Sequence, residues 1–150
     1  ASYSVARSER TDGPGTGLRL HDLDQTHNLV LVGTWEFLAG WRLGLRFQVT
    51  SGQPYTEVAG AMYHGDTGSY SPVYDVANKN ARRGEAFHRL DLRLDKRWTF
   101  NTWILRAYLD VQNVYYHANP VGTAHNYDYS ERVVARGIPL FPSIGLGGEL

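Results

Sequence analysis

The chain has no cysteine, which excludes a disulfide framework, a thiolate metal site and a cysteine nucleophile. It has no surplus of charge, with 15 Lys+Arg against 15 Asp+Glu, so it lacks the basic excess of a nucleic-acid coat. No apolar run reaches the roughly 18 residues of a membrane-spanning helix. Residues 1–30 have no basic start, apolar stretch and small-residue cleavage site of a secretory signal, and read as mid-structure from the first residues. Helical periodicity is missing as well. Leu90, Leu94 and Trp98 would fit one helix face, but Leu92 would then fall on the other side.

Glycine is frequent instead, at 16 of 150 residues, about 11% against a usual 7% or so. Ten tyrosines and a mean hydropathy of -0.40 add to a composition of strands and long loops. In residues 41–50, Trp41, Leu43, Leu45, Phe47 and Val49 alternate with Arg42, Gly44, Arg46, Gln48 and Thr50. Strand side chains alternate with period two, so this segment predicts a strand with one apolar and one polar face. Residues 88–100 repeat the pattern, with Leu90, Leu92, Leu94, Trp98 and Phe100 against Arg89, Asp91, Arg93, Asp95, Arg97 and Thr99. Residues 28–38, 103–115 and the C-terminal 140–150 alternate less cleanly; Val30, Val32, Ile104 and Tyr108 break their polar rows. Tyr3 and Val5 end a sixth strand. Ala39-Gly40 and Asn101-Thr102 make hairpin-sized turns, while residues 8–27, 52–86 and 116–138 form long links. Short and long links alternate, so an antiparallel meander carries every long loop at one end, and loops of such length are usually functional.

The solvent of the apolar face separates two readings. A soluble antiparallel sandwich or lipocalin-like barrel would turn it inward, around a small apolar ligand. A membrane barrel would turn it to lipid. Trp35 and Trp41 flank one short turn and Trp98 and Trp103 the other, forming an aromatic row of the kind found at a membrane–water interface. The opposite face carries Arg42, Arg46, Arg89, Asp91, Arg93, Asp95, Arg106 and Asp110, a lumen lining of both signs expected to pair across neighbouring strands. Ten residues at about 3.3 Å, tilted about 45°, span about 24 Å, close to the roughly 25 Å apolar band of an outer-membrane barrel.

Five stretches bring a family into view: Asp24-Gln25-Thr26-His27; Ser51-Gly52-Gln53-Pro54-Tyr55-Thr56; the run from Phe87 to Trp98; Tyr108-Leu109-Asp110-Val111-Gln112-Asn113-Val114-Tyr115; and Pro142-Ser143-Ile144-Gly145-Leu146. In this order and spacing the chain resembles the C-terminal barrel segment of a TonB-dependent outer-membrane receptor. The resemblance implies an all-β antiparallel meander of about six strands over residues 1–150, part of a large transmembrane barrel in the bacterial outer membrane. It implies TonB-energised uptake of a scarce, siderophore-like nutrient, with no reaction and no cofactor. It also implies partners: the remaining barrel and its plug, the TonB complex through an N-terminal part absent here, the barrel-assembly machinery and membrane lipid. The Trp-flanked turns would be periplasmic and the long loops extracellular. A third reading is a small outer-membrane barrel enzyme.

The candidate ligand-binding residues are Tyr55, Tyr63, His64, Tyr70, Tyr74, His125, Tyr127 and Tyr129, in or beside the two later long loops. Such aromatics suit ligand capture at small entropy cost, or pack a long loop against itself. Lys79, Arg82 and Arg83 could attract an anion. His21, Asp22, Asp24 and His27 are rich in metal-ligand types, but show no recognisable third-ligand spacing, and a polar turn explains them as well. Asp91, Asp95 and Asp110 lie among arginines, so ion pairing accounts for them without acid–base chemistry.

Overall fold

The computed structural model describes residues 1–150. Six strands form one antiparallel sheet: β1 (Ser2–Val5), β2 (His27–Leu38), β3 (Trp41–Thr50), β4 (Phe87–Thr99), β5 (Ile104–Gln112) and β6 (Phe141–Glu149). Their spatial order is their chain order. The meander expected from alternation is present, with each strand within a few residues of its predicted span. There is no α-helix; a three-residue 3-10 turn at Val76–Asn78 is the sole helical piece.

The register makes both faces continuous. Leu92 stands opposite Leu45 on one side and Val111 on the other; Leu94 stands opposite Leu43 and Leu109. Leu109 faces Ile144, and Leu31 faces Phe47. Directly paired residues share a face, so these side chains form one apolar field across β2 to β6. The intervening rows put Asp91 opposite Arg46, Asp95 opposite Arg42 and Arg93 opposite Asp110.

Nothing in the chain covers the apolar field. Six residues are buried, and no large apolar side chain is among them. Ile144 and Leu146 are each nearly four-fifths exposed, at 79% and 78%. The chain exposes 10409 Å², against about 7,700 Å² for a compact monomer of its mass by the usual scaling. A sheet with a greasy side and no second layer is therefore its main structural fact.

The short turns follow local chemistry. Gly40 lies at φ 74°, where a Cβ would meet the carbonyl oxygen of Arg97 at 2.2 Å, so only glycine fits there. The other turn runs from Phe100 to Trp103, closed by the Phe100 N–H donating to Trp103 O at 2.9 Å, with the two rings stacked at 4.4 Å. One apolar-face residue is charged. Lys96 lies beside Trp41 and Trp98, its Nζ 5.0 and 5.6 Å from their rings, and donates to Ala39 O at 2.9 Å. Its stem lies along the apolar face while its ammonium reaches the turn.

The segment 103–115 ends as a strand earlier than its pattern predicts, at Gln112. Asn113 adopts φ 58°, a left-handed conformation Asn tolerates. Its backbone N–H donates to Asp91 Oδ1 at 3.0 Å, and its side-chain amide to the carbonyls of His117 and Pro139. The long links also contain more order than alternation revealed. Glu9–Arg10 pairs Arg19–Leu20, Pro54–Tyr55 pairs Arg82–Arg83, Val58–His64 pairs Ser69–Tyr74, and Pro120–His125 pairs Arg132–Arg136. The meander places these ribbons at one end of the sheet. Two backbone edges stay open: β1 covers only His27 to Val30 of β2, and no strand covers β6.

Candidate functional site

Three loops (residues 6–26, 51–86 and 113–140) are joined into one cap by pairs far apart in sequence. Asp24 is 2% exposed and accepts from Arg83 Nη2 at 2.5 Å, the Ser8 backbone N–H at 2.7 Å and Thr26 Oγ1 at 2.8 Å. The Arg83 guanidinium, then the Ser8 amide, pull its pKa down to about 2. Asn80 bonds Asp22 and the Leu20 carbonyl, and Lys79 reaches Asp12 at 3.3 Å. Asn80, then Arg10 and Arg19, hold the Asp22 carboxyl below its ordinary value. Between the second and third loops, Arg136 grips Glu85 with bonds of 2.5 and 2.9 Å and lowers its pKa. His21, Asp22, Asp24 and His27 thus sit in a web of local bonds, His27 with Tyr3 at 2.9 Å. No three His, Asp or Glu side chains converge as metal ligands.

Within the cap lie two adjoining cavities. The outer one, about 780 Å³, is lined by Tyr55, Tyr74, Lys79, His125, Tyr129 and Arg132 among others. The inner one, about 550 Å³, lies beside Asn28, Gln48, Thr50 and Phe87 at the loop end of the polar face. Tyr55, Thr123 and Arg132 line both. The Arg132 guanidinium stands 3.9 Å from the Tyr55 ring centroid and donates to its hydroxyl at 2.9 Å. Tyr129 holds φ 58°, unusual for a bulky residue and costing of order 1 kcal/mol or more; its ring lies 5.6 Å from that of His125.

Of the eight loop residues singled out by sequence, Tyr55, Tyr74, His125 and Tyr129 line the outer cavity. The others do something else. Tyr63 packs on Tyr70 at 5.0 Å and Tyr70 on Tyr127 at 5.4 Å, and the Tyr127 hydroxyl donates to Gly68 O, so these three clasp the tips of two hairpins. His64 bonds Ser71 Oγ at 2.8 Å across its own hairpin. Lys79 lines the cavity, whereas Arg82 and Arg83 are taken by Glu57 and Asp24. Sequence reasoning missed Arg132, because the run Arg132–Arg136 does not alternate and gives no sign of a binding residue.

On the polar face the ion pairs differ from expectation. Acids and bases stand opposite across strands, yet Arg89 pairs with Asp91 and Arg93 with Asp95 along β4, at 3.1 and 3.0 Å. Only Arg106–Glu149, at 2.5 Å, crosses strands. Arg93 lies 3.9 Å from the ring of Tyr108 on this face and bonds Asp95, without an ion pair to Asp110 opposite it. One Asp110 oxygen is left buried without a partner. Arg42 and Arg46 stay exposed; Arg46 bonds only Gln48, at 3.3 Å. Trp35, Trp41, Trp98 and Trp103 gather near the short turns, at the opposite end from the cap.

No family model, curated protein or solved structure matches the chain.

Proposed function

We propose that this chain is one wall of a large transmembrane β-barrel of the TonB-dependent receptor type, in a bacterial outer membrane. The carrying observation is a continuous apolar field over five strands without one buried apolar side chain. In water such a field must be covered; in a bilayer, lipid covers it. The charged face then lines a wet lumen, where Arg42 and Arg46 keep their hydration. The tryptophans and the Lys96 ammonium, drawn toward the turns, suit the periplasmic headgroup level.

In this reading the cap faces outward and captures a scarce nutrient, and its cavities lead toward the lumen. Capture and passage need no bond-making residue, and no catalytic role is assigned. The plug, the remaining barrel strands and the TonB-contacting part belong to partners outside these residues; the barrel-assembly machinery would insert the whole.

These residues contain no cysteine, so a label can be placed on them at one chosen position at a time. Spin labels attached at Leu92→Cys and Arg93→Cys, in protein reconstituted in lipid, should differ in relaxation. The Leu92 label should respond to oxygen dissolved in the bilayer, and the Arg93 label to a water-soluble nickel chelate. Reversed responses, or a monomer soluble without detergent, would favour the soluble barrel with an apolar interior.

A further inference from the structure

We infer that the two cavities form one site for an aromatic carboxylate, with Arg132 as the residue that binds its negative charge. This rests on the receptor reading for its purpose, but on the cap alone for its chemistry. The charged side chains lining the cavities are Glu57, Lys79, Glu85 and Arg132. Glu57 pairs with Arg82 at 3.1 Å, Lys79 with Asp12 at 3.3 Å, and Glu85 with Arg136 at 2.5 Å. Arg132 has no carboxylate partner. Every other arginine of the three loops (Arg7, Arg10, Arg19, Arg82, Arg83 and Arg136) has one. Of the charges lining the cavities, Arg132 alone has no ion-pair partner, and Glu85, which feels its charge, is already gripped by Arg136.

That charge is placed for recognition. Arg132 lies where the cavities meet, held by the ring and hydroxyl of Tyr55 rather than by an acid. A guanidinium offers five donors in a planar fork that matches a carboxylate with two parallel bonds. Tyr55, Tyr74 and Tyr129 add flat apolar surface around it, Tyr129 in a backbone conformation that a tyrosine adopts only at a cost. The outer volume of about 780 Å³ falls in the usual range for small-molecule sites, roughly 300–1,000 Å³. A ligand carboxylate that takes the Arg132 fork competes with the Tyr55 hydroxyl for the same donor.

The test uses the full natural polypeptide in detergent micelles and three fluorescent probes of one shape: 2-naphthoate, 2-naphthylmethanol and 2-naphthylmethylamine. The naphthoate should bind saturably, and the neutral and cationic probes at least tenfold more weakly. Arg132→Gln should weaken naphthoate binding at least tenfold, and Arg132→Lys by less, since it keeps the charge and loses the fork. Arg7→Gln, which removes the same charge from the cap outside the cavities, should leave binding unchanged. Circular dichroism confirms that each variant is folded. Naphthoate binding that is absent, or equal in wild type and Arg132→Gln, overturns the inference, as does equal binding of the amine. The spin-label result separates the two readings. If the Leu92 and Arg93 labels report lipid and water while Arg132 is irrelevant, only the ligand assignment falls. If the labels reverse while binding tracks Arg132, the anion site stands and the receptor reading falls.

Discussion

The guanidinium of Arg93 lies over the ring of Tyr108, 3.9 Å from its centroid, and that ring covers the backbone of Gly145. The three residues sit on adjacent strands β4, β5 and β6, so the stack crosses the polar face and fixes where Arg93 points. A Cβ on Gly145 would meet the ring at 2.2 Å. Gly145→Ala should push the ring aside, break the stack and cost about 1–2 kcal/mol. Gly147→Ala, where a Cβ meets nothing within 4 Å, should be close to neutral. Denaturant unfolding of the two variants in one lipid system makes the comparison.

The two faces should tolerate charge unequally. Leu92→Arg puts a cation in the middle of the apolar field and should destabilise by about 2–4 kcal/mol if that field lies at mid-bilayer. Arg93→Gln, one residue away, should cost under about 1 kcal/mol. Unfolding in vesicles measures both, and equal effects would count against the lipid assignment.

Asp24 is the buried anchor between the first two loops. Asp24→Asn keeps its shape and removes the charge that Arg83 faces, which should destabilise the cap by about 3 kcal/mol, the low end for a broken buried pair, because Arg83 keeps some contact with water. The expected readout is faster amide exchange in residues 6–26 and 51–86, with the strands unchanged. Arg83→Gln added to Asp24→Asn should cost little more, since the second change removes the orphaned charge.

The pH dependence of the cap follows from the same groups. The folded pKa of Asp24 lies at about 2, below its ordinary 3.8. A depressed carboxyl contributes stability that is full above the ordinary value and is lost as pH falls through the folded one. Arg136 depresses Glu85 in the same direction. Amide exchange or proteolysis of the loops should therefore be flat from pH 7 to about 4.5 and rise steeply between about 4 and 2. Loosening that begins near pH 6 would implicate a histidine instead.

What could be read from the sequence was what repeats locally. Period-two alternation located β3 and β4 within a residue, and Ala39-Gly40 marked its turn. Tyr108 broke its row because it fills the space over Gly145, two strands' chemistry that no single segment displays. Lys96 escaped the pattern because its charge reaches the turn while its stem stays on the apolar side. The cap was least legible. Arg83 finds Asp24 59 residues away and Arg132 finds Tyr55 77 residues away; nothing near either residue names its partner. For the same reason the tyrosines could be singled out as a group, while their division into cavity lining and hairpin clasp could not.

The open margins of β2 and β6 have a consequence for handling the protein. From Leu31 to Leu38, and along Phe141–Glu149, amide and carbonyl groups alternate with nothing to hold them, beside side chains that water does not favour. Copies produced alone in buffer should associate rim to rim, so recovery of the chain depends on supplying neighbouring strands before concentration.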